Sequence, residues 1–194
     1  MRVVAPFSRG YAPTGPAADG DYHIGALMYD ALAVYRELGA PSDAVLIGHD
    51  WGALTCTAIA AYPASPFAVH ISMAVPPVAA LRGTRGSIGR QLRMMPRQLR
   101  NSWYMMFFQL PGLPERLLPR IIPRLWGDWG PPGYLTDAER DDALAALPSL
   151  THRRAAVAYY RALARPGPSA PRYAELHKWR FELPRVPILH LQGA

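Results

Sequence analysis

Cysteine occurs once in the 194 residues, at Cys56, which excludes an internal disulfide framework and any cysteine-built zinc site. That usage suits a reducing compartment, and the cytoplasm is the expected location. Lysine also occurs once, at Lys178, so the formal charge of +7 rests on arginines scattered along the chain. The densest basic stretch, Arg82 to Arg100, is interrupted by glycines and by Pro96, and no single basic element emerges. No nucleic-acid partner is expected. No apolar run approaches the roughly eighteen residues a bilayer span requires, so no membrane span is expected. The start lacks the charged, then apolar, then small-residue order of a signal peptide, so export by that route is not expected. None of the six histidines has metal-ligand spacing with another His or with Cys56, and no glycine-rich phosphate cradle follows a strand. Neither metal nor cofactor is implied.

Hydrophobic residues make up 50% of the chain and charged residues 18%, enough apolar surface for a globular core of one domain or of one domain with an insertion. Val3, Val4 and Ala5 read as a short strand ended by Pro6, followed by a loop rich in Gly, Pro and Ala. From Ile24 the apolar positions Leu27, Met28, Ala31, Val34, Tyr35 and Leu38 recur every three or four residues and Gly39 follows them, which predicts an amphipathic helix. Val45 to Ile47 predict a strand, residues 52 to 62 a buried helix ended by Pro63, and Phe67 to Val75 a further strand ended by Pro76 and Pro77. Strands alternating with helices imply a parallel sheet.

From residue 82 to 180 the composition changes: four of the five tryptophans lie there and no run resembles a central strand, which predicts a helical insertion. Within it, Thr136 and Glu139 have capping-box spacing before a helix to Leu147, and a second helix runs from about Thr151 to Ala164. Val186 to Leu191 return as a last strand. The expected organisation is core over 1–81, helical cap over 82–180 and returning core strand over 181–194.

The junction Gly48-His49-Asp50-Trp51-Gly52 sets an Asp between glycines two positions away on either side, the spacing of a nucleophile elbow. On such a turn small neighbours let the helix approach the strand, and the Trp51 N–H at the helix N-terminus stands ready to stabilise developing negative charge. The plainer alternative is that Asp50 simply caps the helix.

Together with Arg2-Val3-Val4-Ala5-Pro6, Arg9-Gly10-Tyr11 and Val186-Pro187-Ile188-Leu189, this junction resembles the α/β-hydrolases of the epoxide hydrolase and haloalkane dehalogenase branch, over essentially the whole chain. The resemblance implies a mostly parallel sheet with helices on both faces and a helical cap. It implies Asp50 as a nucleophile that forms an alkyl-enzyme ester on a small hydrophobic substrate, facing a cavity between sheet and cap. Ala158-Tyr159-Tyr160-Arg161 resembles the cap motif whose tyrosine protonates the opening epoxide oxygen, which makes Tyr160 the expected acid. Trp103-Tyr104-Met105-Met106-Phe107-Phe108-Gln109 resembles the segment carrying its partner tyrosine, but Phe107 occupies that position and Tyr104 would fill it only in another register. Trp51, Trp103, Tyr104, Phe107 and Tyr159 are the accompanying oxyanion and substrate-binding candidates. The alternative for Tyr159 and Tyr160 is ordinary packing on a helix, and for the Trp and Met residues packing of cap on core.

The family also uses a His-Gly-x-Pro segment, an acidic residue just beyond the last strand and a later histidine. None has a counterpart here, so the chain is expected to be truncated at both ends, with an incomplete sheet and no turnover of its own. A dehalogenase-like hydrolase in which Trp51 assists a leaving halide, and a non-catalytic remnant or binding protein, are the alternatives. Nothing in the sequence bears on oligomeric state.

Overall fold

A computed structural model describes residues 2–78, 102–130, 137–165 and 167–193. The chain forms two compact units, one of Met1–Tyr22 with Pro96–Pro166 and one of His23–Met95 with Gly167–Ala194.

The second unit holds the sheet. Helix α1 (Ile24–Glu37) follows the expected periodicity, burying Ile24, Leu27, Met28 and Leu32, and ends before Gly39 at φ 86°. Strand β1 (Val45–His49) leads into α2 (Trp51–Ala61), and β2 (Val69–Met73) pairs with it in parallel. Strand β3 (Ile188–Leu191) pairs in parallel with the other side of β2, giving the order β1-β2-β3. The alternation of strand and helix therefore produces the parallel sheet it predicts.

Helix α2 is apolar all round and buried from Ala53 to Ala61, packing on the face that carries Gly48, His70 and Ser72. The opposite face presents Val45, Ile47, Val69, Leu189 and Leu191, all exposed. Helices were expected on both faces; among the described residues this second face stays bare. The strand expected at Val3–Ala5 is likewise not formed. Residues 2–7 are irregular, and Val3 is 78% exposed. A β-strand exists only by sharing its hydrogen bonds with a neighbour, and apolar residues alone do not make one.

The first unit is helical: α3 (Trp103–Phe107), α4 (Leu113–Trp129), α5 (Asp137–Ala145) and α6 (Leu150–Ala164). Phe108, Leu118, Ile121, Leu125, Leu147, Ala156 and Val157 form its core. Helix α4 carries Pro119 and Pro123 in its interior, which is why the sequence did not mark it as a helix. Burial of Leu118, Ile121 and Leu125 along one face holds it together. Helix α6 begins one residue before its expected start, capped by the Ser149 hydroxyl accepting from the His152 N–H. The capping threonine expected for α5, Thr136, lies outside the described residues. A short helix, α7 (Pro171–His177), belongs to the sheet unit, where it packs on α1.

Candidate active site

Asp50 stands between β1 and α2 with φ 52° and ψ −113°, a backbone conformation that a non-glycine residue adopts only under constraint. The constraint comes from both sides. The Asp50 N–H donates to the Met73 carbonyl of β2 at 3.4 Å, and the Asp50 carbonyl accepts from the N–H groups of Ala53 and Leu54 at 2.9 and 3.2 Å. Its side chain makes no capping hydrogen bond, so the simple N-cap alternative fails; the backbone group that meets the carboxylate is the Trp51 N–H.

The two flanking glycines have different roles. A Cβ on Gly48 would lie 2.0 Å from the Gly52 carbonyl oxygen, so only glycine lets the first turn of α2 sit this close to β1. A Cβ on Gly52 would meet nothing within 4 Å. The expectation that both glycines serve the close approach therefore holds for Gly48 alone; Gly52 contributes its backbone.

Burial of its surroundings raises the Asp50 carboxyl above its ordinary value, although part of the side chain remains open to solvent. The Trp51 N–H beside it and the neighbouring His49 pull in the opposite direction. The arrangement supplies an accessible carboxylate, strained outward and close to a helix N-terminal N–H donor. Elsewhere on the sheet, His190 Nδ1 lies 2.9 Å from the Ser72 hydroxyl and its Nε2 lies 3.3 Å from Gln192 Oε1. His70 is buried, with Nε2 at 3.1 Å from the Ser65 hydroxyl. His190 is thus engaged through both ring nitrogens, whereas Nδ1 of His70 has no hydrogen-bond partner among the described residues.

The aromatic candidates of the helical unit gather around α3 and α6. The Tyr104 and Tyr160 rings meet edge to face with centroids 5.5 Å apart, and Phe108 lies against both, 5.5 Å from Tyr104 and 4.9 Å from Tyr160. Trp103 packs on Phe107 at 6.0 Å and is covered by the Arg124 guanidinium at 5.1 Å. Both phenols are partly buried at the edge of the core.

Tyr159, expected among the substrate contacts, sits differently. It is 1% exposed, its hydroxyl donates to the Arg9 carbonyl at 2.7 Å, and its ring packs between Tyr11 and Tyr22. A side chain so enclosed offers no surface to a ligand; it ties the Arg9-Gly10-Tyr11 loop to α6. Gly10, at φ 83°, completes the join, because a Cβ there would lie 2.5 Å from that of Ala155. Sequence reasoning also passed over Arg161 and Glu115, whose 2.7 Å ion pair links α6 to the first turn of α4. Two residues 46 apart carry no local signal of such a pairing.

No family model matches the chain. Among curated proteins it is 30% identical to epoxide hydrolase A of Mycobacterium tuberculosis over 143 residues, 71% of this chain and 42% of that protein. It is 35% identical to human epoxide hydrolase 4 over 59% of this chain and 30% of that protein. The chain is similar to epoxide hydrolases of the α/β-hydrolase fold over part of their length. Solved structures agree in fold. A protein described as a candidate epoxide hydrolase from Klebsiella pneumoniae superposes with a TM-score of 0.75 at 22% identity, over 96% of this chain and 62% of that one. An epoxide hydrolase from Vigna radiata gives 0.63 at 21% identity, over 95% and 61%. This epoxide-hydrolase-like chain therefore spans less than half the length of those curated relatives. Among its described residues no helix is long and apolar enough to cross a membrane.

Proposed function

We propose that this chain carries the alkylation half of an epoxide hydrolase reaction. The observation that supports it most is the elbow, where an accessible carboxylate is held at positive φ over a strand-to-helix junction that only Gly48 permits. A carboxylate Oδ of Asp50 attacks an epoxide carbon from behind. The carbon–oxygen bond of the strained ring breaks, and its electron pair goes to the departing oxygen, which takes a proton from the Tyr160 hydroxyl. The product is an alkyl ester on Asp50 bearing a neighbouring hydroxyl. Tyr104, in ring contact with Tyr160, is the second phenol in place of the one missing at Phe107. Two phenols suit an opening epoxide oxygen better than a departing halide, which needs no proton.

Hydrolysis of the ester needs a base to activate water; His190 lies within β3 bonded to Ser72, His70 is buried in β2, and His49 directly precedes Asp50 at the end of β1, so none sits on a separate loop facing the ester. The chain acting alone stops at the ester. The substrate is a small apolar epoxide, with no nucleic-acid partner and no membrane span, and the chain works in the cytoplasm.

Incubation with styrene oxide followed by intact-mass measurement tests this reading. Expected is a single adduct of one epoxide mass, mapped by peptide sequencing to Asp50, absent in Asp50→Asn and formed without accumulating diol. An unmodified protein, or an adduct that persists in Asp50→Asn, would overturn it.

A further inference from the structure

The segment that carries Tyr104, α3, is a helix of only five residues, too short to be stable by its own hydrogen bonds. Its C-terminal end runs into a turn whose carbonyls at Phe108, Gln109 and Leu110 need partners. All three are taken by Arg161 of α6 and by Arg165, the residue that caps the C-terminus of that helix. Arg161 donates through Nε to the Phe108 carbonyl at 3.0 Å and through one terminal nitrogen to the Leu110 carbonyl at 2.5 Å. Arg165 donates to the Gln109 carbonyl at 2.7 Å. In return, the Gln109 amide donates to the Tyr160 carbonyl at 3.4 Å.

The remaining arm of Arg161 meets Glu115 Oε1 at 2.7 Å, and that carboxylate is 3% exposed in the first turn of α4. A buried carboxylate paired in this way fixes the direction of the guanidinium fork, which lysine cannot reproduce. Arg161 directly follows Tyr160 in the sequence, so whatever holds Arg161 also holds the α6 backbone from which Tyr160 projects.

We propose that Arg161, aimed by Glu115, is a positioning residue that sets the Tyr104–Tyr160 pair by clamping the end of the Tyr104 helix to the Tyr160 helix. As a claim about catalysis it rests on the proposed epoxide-opening role of those phenols. As a claim about geometry it stands without that role. A displacement on the order of 1 Å at a proton donor is enough to cost roughly a hundredfold in rate.

The test uses the full chain labelled with 3-fluorotyrosine, its 19F resonances assigned by single Tyr→Phe changes, with styrene oxide as the alkylating probe. In Arg161→Lys the Tyr104 and Tyr160 resonances should shift together while that of Tyr173, in the sheet unit, stays in place. The limiting rate of Asp50 alkylation should fall roughly tenfold to a hundredfold, with the half-saturating epoxide concentration unchanged. Glu115→Gln, which keeps a hydrogen-bonding partner, should fall between wild type and Arg161→Lys. If Arg161→Lys proves poorly folded, the paired replacement Arg161→Met with Glu115→Leu removes the fork without leaving a buried charge. It should melt as the wild type does, yet still show the shifted phenol resonances and the slower alkylation. Unmoved Tyr104 and Tyr160 resonances in a folded Arg161 variant would overturn the clamp. Failure of the wild type to be alkylated would overturn the proposed function instead, leaving the 19F result to decide the clamp.

Discussion

The two units solve the same problem unequally. The helical unit turns its apolar residues inward, with seven buried residues forming a core and partly buried aromatics packed around it. Its loose carbonyls are claimed by Arg161 and Arg165. Among the described residues the sheet unit is covered on one face only. Helix α2, itself packed on α1, covers Gly48, His70 and Ser72, whereas Ile47 and Leu189 on the other face stay 57% and 55% exposed. Parallel sheets are ordinarily covered on both faces, because each strand is apolar on both sides. The contrast teaches that the elbow depends on the covered face. Its close contact, Gly48 against Gly52, and its hydrogen bond to Met73 need only α2 and β2.

The sharpest way to break the sheet unit is Gly48→Ala. The new methyl group would meet the Gly52 carbonyl at 2.0 Å, so the helix must move off the strand. A loss of about 3 kcal/mol or more in urea unfolding is expected, with alkylation abolished. In the helical unit the comparable change is Tyr159→Phe, which strips the buried Arg9 carbonyl of its 2.7 Å donor. It should cost about 1–2 kcal/mol by the same measurement. Gly52→Ala separates the two glycines of the elbow: with open space for the methyl group, it should leave stability within about 1 kcal/mol of the wild type and more often raise it. Ile47→Thr on the bare face should change stability by less than about 0.5 kcal/mol while lowering the binding of a hydrophobic dye. A large loss of stability there would show that this face is packed in solution.

The smallest effect is electrostatic. The Asp50 carboxyl titrates above its ordinary value of about 4 when folded, so the folded state holds that proton more tightly than the unfolded chain. Its contribution to stability is fully present below about pH 4 and is lost as pH rises through the raised value. Urea midpoints measured across that window should therefore fall less steeply for Asp50→Asn than for the wild type. The alkylation rate should rise over the same window, since only the ionised carboxylate attacks.

Where the sequence was legible, the signals were local. The period of Ile24 to Leu38, the β-branched runs at Val45 and Val69 and the Gly-x-Asp-x-Gly spacing all describe neighbours in the chain, and each produced its element. Local reading failed at Val3–Ala5, where a strand-like run has no ladder to join. It failed at α4, where two prolines masked a helix that its packing sustains. In the aromatic cluster, Phe107 stood where a partner phenol was expected, and the packing of α3 against α6 brought Tyr104 to Tyr160 instead.

The sequence by itself marked the elbow, because the Gly-x-Asp-x-Gly spacing and the absence of a side chain at Gly48 lie within five residues. Only the tertiary structure decided what the tyrosines and arginines of α6 do. Tyr159 bonds to a carbonyl 150 residues away, and Arg161 bonds to groups 46 to 53 residues away. A hydrogen bond is set by direction and distance in space, and no spacing along the chain encodes which distant carbonyl a phenol or a guanidinium will meet.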